Sequence, residues 1–150
     1  MTPAIWYKTP DLSEINAMGI NTLGESLGIR FTEVGPDSIT ATMPVDSRTK
    51  QPFGLLHGGA SVALAETLGS VASLWVVNQE LFFGVGVEIN ANHIKAVLSG
   101  TVKGVCKPLN IEGKNHVWDI RLYNEDGELT CVSRFTCTIV PKNRFQATVK

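Results

Sequence analysis

Residues 58–78 read GGASVALAETLGSVASLWVVN, a stretch in which Glu66 is the only ionisable residue. Its length is close to the roughly 20 residues that cross a bilayer as a helix. A carboxylate at the centre of a membrane span is costly, however, and the glycines and serines lower the hydropathy of the stretch. The sequence therefore predicts a long helix inside a protein. Other elements must cover this helix on most sides, because it has no polar face.

Alternation of apolar and polar residues, which is typical of β-strands, occupies much of the remaining chain. Residues 29–34 and 39–43 flank a Gly-Pro-Asp turn and predict a hairpin. Further strands are predicted over residues 82–91, 99–107, 115–123 and 129–139. These strands and the apolar helix favour an α+β fold, in which a curved antiparallel sheet wraps round the helix. One edge of that sheet is left to pair with a second copy of the chain.

Two short helical segments are predicted before the hairpin. Thr9-Pro10-Asp11 has the pattern of an N-cap, a proline at the first helical position and an acid in the first turn, so a helix should end by Gly19. Thr22 and Glu25 have the spacing of a capping box, and Gly28 should end the turn that they open.

The composition excludes several classes of protein. A chain of 150 residues corresponds to a single domain over 1–150. Thirteen basic residues against fourteen acidic ones give a net charge of -1, which leaves no positive excess for nucleic acid or an anionic membrane. Three cysteines without metal-ligand spacing predict buried free thiols and no metal site. The N-terminus has no secretion signal, so a cytoplasmic protein is predicted.

Glu66 is the outlier on the apolar helix. A buried carboxylate must be paired, neutralised or open to a cavity, and no lysine or arginine lies within a turn or two of it. Ser70 follows four residues later on the same face and can share a hydrogen bond or a water with it. A functional carboxylate is one interpretation, and a solvent-exposed stripe on the helix is the other.

The residues His57-Gly58-Gly59 lie where a loop becomes this helix. Free amides at a helix N-terminus favour developing negative charge and can form an oxyanion hole. Alone, the motif is more typical of a tight turn with a surface histidine, but a buried acid nine residues later favours a site. No nucleotide-binding loop, serine-hydrolase elbow or metalloprotease motif is present.

Four segments, at residues 41–59, 64–70, 88–93 and 104–109, together resemble one family. The strongest are QPFGLLHGG at 51–59 and LAETLGS at 64–70. They are similar to the hotdog-fold acyl-CoA thioesterases of the phenylacetate-degradation type. Within that family the resemblance points to 1,4-dihydroxy-2-naphthoyl-CoA hydrolases of menaquinone biosynthesis and to aryl carrier protein proofreading thioesterases. It covers roughly residues 5 to 140, whereas the tail at 141–150 exceeds the family pattern and has no assigned role.

The resemblance implies a role for each candidate residue. Glu66 would be the nucleophile or general base, while the Gly58 amide and the Gln51 side chain would polarise the thioester carbonyl. His57 would help to position the substrate, and Ser70 would orient water or the leaving thiolate. The residues implied to border the acyl group are Phe53, Leu68 and Val71. The residues implied to approach the phosphates of coenzyme A are His93, Lys95 and Lys107.

The predicted function is therefore hydrolysis of an aryl- or hydroxyaryl-type thioester of coenzyme A or of an acyl carrier protein. Coenzyme A would belong to the substrate, and no other cofactor is expected. The resemblance implies a homodimer, usually doubled to a tetramer, with active sites at the dimer interface. Two alternatives stay open, namely a hotdog dehydratase or hydratase and a non-catalytic acyl-CoA binding protein. A buried acid argues against the binding protein, which has no need for one near a thioester.

Overall fold

Four helices and six strands form residues 3–146, which are the residues that the computed structural model describes. The helices are α1 (Leu12–Met18), α2 (Leu23–Leu27), α3 (Gly58–Trp75) and α4 (Asn143–Gln146). The strands are β1 (Arg30–Val34), β2 (Ile39–Pro44), β3 (Phe82–His93), β4 (Thr101–Asn110), β5 (Asn115–Tyr123) and β6 (Leu129–Pro141). The end of the predicted tail, at 147–150, lies outside the described residues.

One antiparallel sheet has the strand order β1-β2-β4-β5-β6-β3. Helix α3 packs against β2, β3, β4, β5 and β6. The predicted α+β class and the wrapped central helix are thus confirmed. Strand β3 follows α3 in the chain but lies at the far edge of the sheet, and this places it beside one flank of α3.

Close contact between α3 and the sheet depends on two glycines. A Cβ atom at Gly69 would lie 2.3 Å from the ring of Phe135, and one at Gly104 would lie 2.6 Å from Leu68. Both Leu68 and Phe135 are fully buried. Because packed interiors have no room for an extra methyl group, these glycines set the distance between helix and sheet.

The N-terminal helices differ from prediction in their caps. Helix α1 begins after Asp11, whose side chain accepts a hydrogen bond from the Glu14 amide, so Asp11 and not Thr9 is the N-cap. A carboxylate satisfies a free amide there and also complements the helix dipole. In α2 the Thr22 side chain makes no capping bond.

Helix α2 ends at Gly28, as predicted, and the structure shows this glycine in the left-handed conformation (φ 72°). Helix α3 ends at Trp75, which is three residues short of the predicted boundary. No helix among residues 3–146 is long and apolar enough to span a membrane.

The three cysteines are buried and free, as predicted. Burial raises the pKa of the Cys106, Cys131 and Cys137 thiols. Cys137 and the indole of Trp118 both donate to the hydroxyl of Ser73, at 2.9 and 2.7 Å. This buried network ties α3 to β5 and β6, so these side chains have a structural role.

His116 is a buried titratable group in the same region. It is 2% exposed and packs edge-on against Trp118, with 6.3 Å between ring centroids. Its Nδ1 atom has no hydrogen-bond partner among the described residues. Burial lowers the pKa of His116, because the charged imidazolium is poorly solvated in the interior.

We expect His116 to make the protein less stable in mild acid. Its pKa in the folded state lies below the ordinary 6.5, so the unfolded chain binds more protons as the pH falls below that value. The free energy of unfolding should decrease between pH 7 and pH 5.5, and His116→Gln should flatten this dependence. Urea unfolding at both pH values measures it. An unchanged slope in His116→Gln would contradict this role of His116.

Candidate active site

The first turn of α3 leaves one backbone amide free. His57 is the N-cap, and its Nδ1 accepts a hydrogen bond from the Gly59 amide at 2.8 Å. The amides of Ala60 and Ser61 donate to the His57 carbonyl at 3.0 and 3.2 Å. The Gly58 amide has no partner among residues 3–146. It is therefore the donor that remains available at the positive end of the helix dipole.

The same hydrogen bond determines which nitrogen of the His57 ring carries the proton. Because Nδ1 accepts the Gly59 hydrogen bond, the proton of the neutral ring is on Nε2. His57 is exposed, so this Nε2–H can reach a ligand. His57 is thus a surface histidine, but His57-Gly58-Gly59 forms the N-cap and the first turn of α3 and not a separate tight turn.

A loop anchored at both ends carries Gln51 toward this helix end. The buried Thr49 donates from its hydroxyl to the Pro44 carbonyl at 2.7 Å, and its own carbonyl accepts the His57 amide at 2.8 Å. At the start of the loop, hydrogen bonds from Arg48 lower the pKa of Asp46 to about 2. These hydrogen bonds therefore fix the path of the loop, although it forms no helix or strand of the sheet.

The side chain of Gln51 is oriented within that loop. Its oxygen accepts a hydrogen bond from the Phe53 amide, which leaves the NH₂ group as a donor. Gln51 is half-buried, whereas Phe53 is 89% exposed. The Phe53 ring is therefore free of packing within the described part of the protomer.

A cavity of about 160 Å³ joins this loop, the start of α3 and the end of β3. It brings together four of the predicted site residues, Gln51, Gly58, His93 and Lys95. The His93 ring lies over Gly58, so a Cβ there would be 2.8 Å from its Nε2. Lys95 Nζ is 2.5 Å from Glu128, and its hydrogen bond lowers the pKa of that carboxyl group.

Lys107 is not part of this cluster. It is exposed on β4, opposite Asp119 of β5, and does not line the cavity that contains His93 and Lys95. Within one protomer the three predicted phosphate-binding residues therefore do not form one site.

Glu66 lies on a different part of α3, beside the edge strand. It is half-buried, and a Cβ atom at Gly86 would lie 2.9 Å from its Oε1. No hydrogen bond or ion pair to the Glu66 carboxylate is found among residues 3–146. Ser70 is also half-buried, one turn further along. The half-buried stripe that contains both residues also includes Val62, Ala63, Thr67 and Leu74.

A second cavity, of about 270 Å³, lies between α3 and the two N-terminal helices. Val71 lines it, together with Ile15, Met18, Leu23 and Phe31. The polar side chains in its wall are already used, since Asn16 bonds the backbone of Phe31 and Thr67 bonds the carbonyl of Ala63. The cavity therefore offers an apolar surface next to the Glu66 stripe.

The other two predicted acyl contacts lie elsewhere in the protomer. Leu68 is fully buried in the core, against the position of Gly104, and points away from the Glu66 stripe. Phe53 projects from the loop before α3 and does not line the cavity that contains Val71.

Distance separates the carboxylate from the free amide within one chain. Gly58 and Glu66 are eight positions apart in one helix. At a rise of about 1.5 Å per residue, about 12 Å separates them along the helix axis. The free amide and the carboxylate of one chain therefore lie at different positions along α3, near its start and near its middle.

Gly86 is the contact of Glu66 that sequence reasoning missed. The sequence did contain an indication of this contact, because a glycine within a strand often marks a bulge or a close approach of another group. The pairing of Lys95 with Glu128 was also missed, because these residues are distant in sequence. No group of three or more potential metal ligands occurs in the part of the chain that the structure describes.

Comparison with known proteins identifies the family. A family model described as the thioesterase superfamily matches residues 53–131. The 1,4-dihydroxy-2-naphthoyl-CoA hydrolase of Escherichia coli is 52% identical over 91% of this chain and 99% of its own. The proofreading thioesterase EntH of Cronobacter turicensis is 48% identical over 91% of this chain and 98% of its own.

A solved structure agrees with these sequence matches. The crystal structure of thioesterase PA1618 from Pseudomonas aeruginosa covers 92% of this chain and 99% of its own, with a TM-score of 0.91 at 50% identity. The predicted resemblance to hotdog thioesterases is thus confirmed. The chain belongs to the thioesterase superfamily and is a thioester hydrolase by descent and by fold.

Proposed function

We propose that this protein hydrolyses an aryl- or hydroxyaryl-type thioester of coenzyme A to the free acid and coenzyme A. The observation that carries the proposal is Glu66, a half-buried carboxylate that has no polar partner among residues 3–146. It lies on a helix whose first turn leaves the Gly58 amide without a partner in the same range. The apolar cavity beside Val71 suits an aromatic acyl group. A substrate like that of the Escherichia coli relative would place the enzyme in menaquinone biosynthesis.

Two routes for Glu66 share the same oxyanion stabilisation. As a nucleophile, the carboxylate attacks the thioester carbonyl, the thiolate leaves, and water then hydrolyses the resulting anhydride. As a general base, it takes a proton from the water that attacks the carbonyl directly; the tetrahedral intermediate then collapses, the C–S bond breaks, and the departing thiolate takes up that proton. In both routes the Gly58 amide and the Gln51 NH₂ group donate to the oxyanion. Ser70 orients the water or the departing thiolate, and His57 Nε2–H helps to hold the substrate.

We further propose that each active site is shared by two chains. The roughly 12 Å of helix between the Gly58 and Glu66 backbone positions favours a site in which the two groups come from different copies. The strand β3 supports this arrangement, because it is the last strand of the sheet and its Val85 and Val87 side chains are 37% and 64% exposed. Pairing through β3 would cover these side chains and continue the sheet across a two-fold axis. A dimer of such dimers is the proposed final assembly.

The cavity at Gln51, Gly58, His93 and Lys95 is the proposed entry for the coenzyme A arm. Lys95 is exposed and pairs with Glu128 in the free protein. An exposed ion pair contributes little to stability, so a phosphate group can displace the Glu128 carboxylate from Lys95. We propose that Lys107 meets a phosphate from another position, since it lies apart from this cavity.

Glu66→Gln should lower kcat by about 100-fold or more, because the amide keeps the volume but can act neither as nucleophile nor as base. The measurement is release of free thiol from a panel of aryl- and alkyl-CoA substrates. Glu33→Gln, at an exposed carboxylate on β1, is the matched control and should keep full activity.

Two other results would contradict the proposal in different ways. Near wild-type turnover by Glu66→Gln would remove the carboxylate from the mechanism. Tight binding of acyl-CoA without thiol release by the wild-type protein would instead indicate a binding protein, and loss or addition of water on an acyl chain would indicate a hydratase.

Thiol release should be independent of metal ions. A carboxylate, a polarised carbonyl and a positioned water are sufficient for a thioester, which is an activated acyl group. After exhaustive chelation the rate should equal that of the untreated enzyme. A loss that one divalent cation restores would argue against the carboxylate mechanism.

Subunit mixing tests the shared site. Glu66→Ala and His57→Ala chains, each nearly inactive alone, are unfolded together in equal amounts and refolded. A mixed dimer has one site with both lesions and one intact site, so about a quarter of wild-type activity should return. Mass spectrometry must show that mixed dimers form. If they form without activity, either both residues belong to one chain or His57 is not part of the site.

A further inference from the structure

The edge strand β3 contains a bulge beside Glu66. In the ladder with β6, Gly86 pairs with Cys137 and Glu88 pairs with Thr136, which leaves Val87 as an extra residue. A bulge bends a strand and re-aims the neighbouring groups, and bulges are frequent next to active sites. This bulge directly follows Gly86, the residue that contacts the Glu66 carboxylate.

The space at Gly86 is shared by two neighbours. A Cβ atom there would lie 2.9 Å from Glu66 Oε1 and 3.3 Å from the ring of Phe135. Phe135 is fully buried, and the approach of Gly69 on its other side prevents it from moving. An added methyl group would therefore displace the half-buried Glu66 carboxylate and not the ring.

Among the described residues, no polar contact holds the Glu66 carboxylate in another position. The Glu66 carboxylate has no hydrogen bond or ion pair there, so the packing surface on which it rests determines its position in the protomer. That surface is the bare backbone at Gly86, next to the edge of the Phe135 ring.

We infer that the backbone of Gly86 and the bulge at Val87 form the packing surface that positions the Glu66 carboxylate for attack on the thioester. Gly86 is thus a positioning residue that acts through Glu66, and the inference rests on the catalytic role proposed for that carboxylate. Substrate binding depends on other residues, so Gly86 affects the rate of the chemical step and not the affinity for the substrate.

Gly86→Ala should lower kcat about 10- to 100-fold and leave KM within about twofold, because misplacement of a reacting group by about 1 Å can cost about 100-fold in rate. Gly84→Ala is the matched control on the same strand. A Cβ at Gly84 meets Cys137 Sγ at 3.0 Å and Ser73 at 3.4 Å, but it does not meet Glu66. This control should keep kcat within about twofold, and parallel losses in both variants would overturn the inference.

A double-mutant cycle separates positioning from general damage. In a Glu66→Gln background, Gly86→Ala should cause no further loss of the residual rate, since the group that it displaces no longer acts. Equal fold losses in both backgrounds would overturn the inference while leaving the proposed function intact. High activity of Glu66→Gln alone would instead refute the catalytic role of Glu66.

A variant that does not fold would still decide the question. If Gly86→Ala fails to accumulate as folded protein by circular dichroism, Glu66→Ala is added to it. Removal of the carboxylate side chain should restore folding when the clash is with Glu66. Failure to restore folding would show that the methyl group clashes elsewhere and would overturn the inference.

Discussion

The contact between α3 and the sheet is the constraint on which the rest of the structure depends. Gly69 and Gly104 allow the helix to approach until Leu68 and Phe135 are fully buried. Burial of apolar area at about 25 cal/mol per Å² makes this the main source of stabilisation for a helix without a polar face. A half-buried stripe of α3 lies beside this tightly packed face, and Glu66 lies on that stripe, next to the edge strand β3.

The position of α3 also determines how the proposed catalytic groups can be combined. Its first turn uses His57 as the cap and leaves the Gly58 amide as a donor. Its middle presents Glu66 to the edge strand, about two turns away from that donor. A rigid helix cannot shorten this distance. The proposed two-chain site is therefore a consequence of helix geometry, and the exposed β3 edge offers the surface through which two chains could meet.

Much of this could be predicted from the sequence, because it depends on local patterns. Three features depend only on residues that are close together in the sequence. They are the alternation of apolar and polar residues in the strands, the apolar stretch at 58–78 and the helix end at Gly28. The chemistry of the site was also visible locally, as an acid alone on an apolar helix and a glycine pair at the helix start. The cap of α1 was misplaced, since Thr9 and Asp11 are both good capping residues and only the folded chain selects between them.

The sequence by itself determined the fold class and the buried helix, and residue type and spacing pointed to His57, Gly58 and Glu66 as candidate groups. Gln51 became a candidate through the family resemblance. Only the tertiary structure decided which of these groups are neighbours. It joined Gln51, Gly58 and His93 in one cavity, set Glu66 against Gly86, and kept Lys107 apart. The physical reason is that strand order and packing bring together residues far apart in the chain, and a periodic pattern carries no information about such contacts.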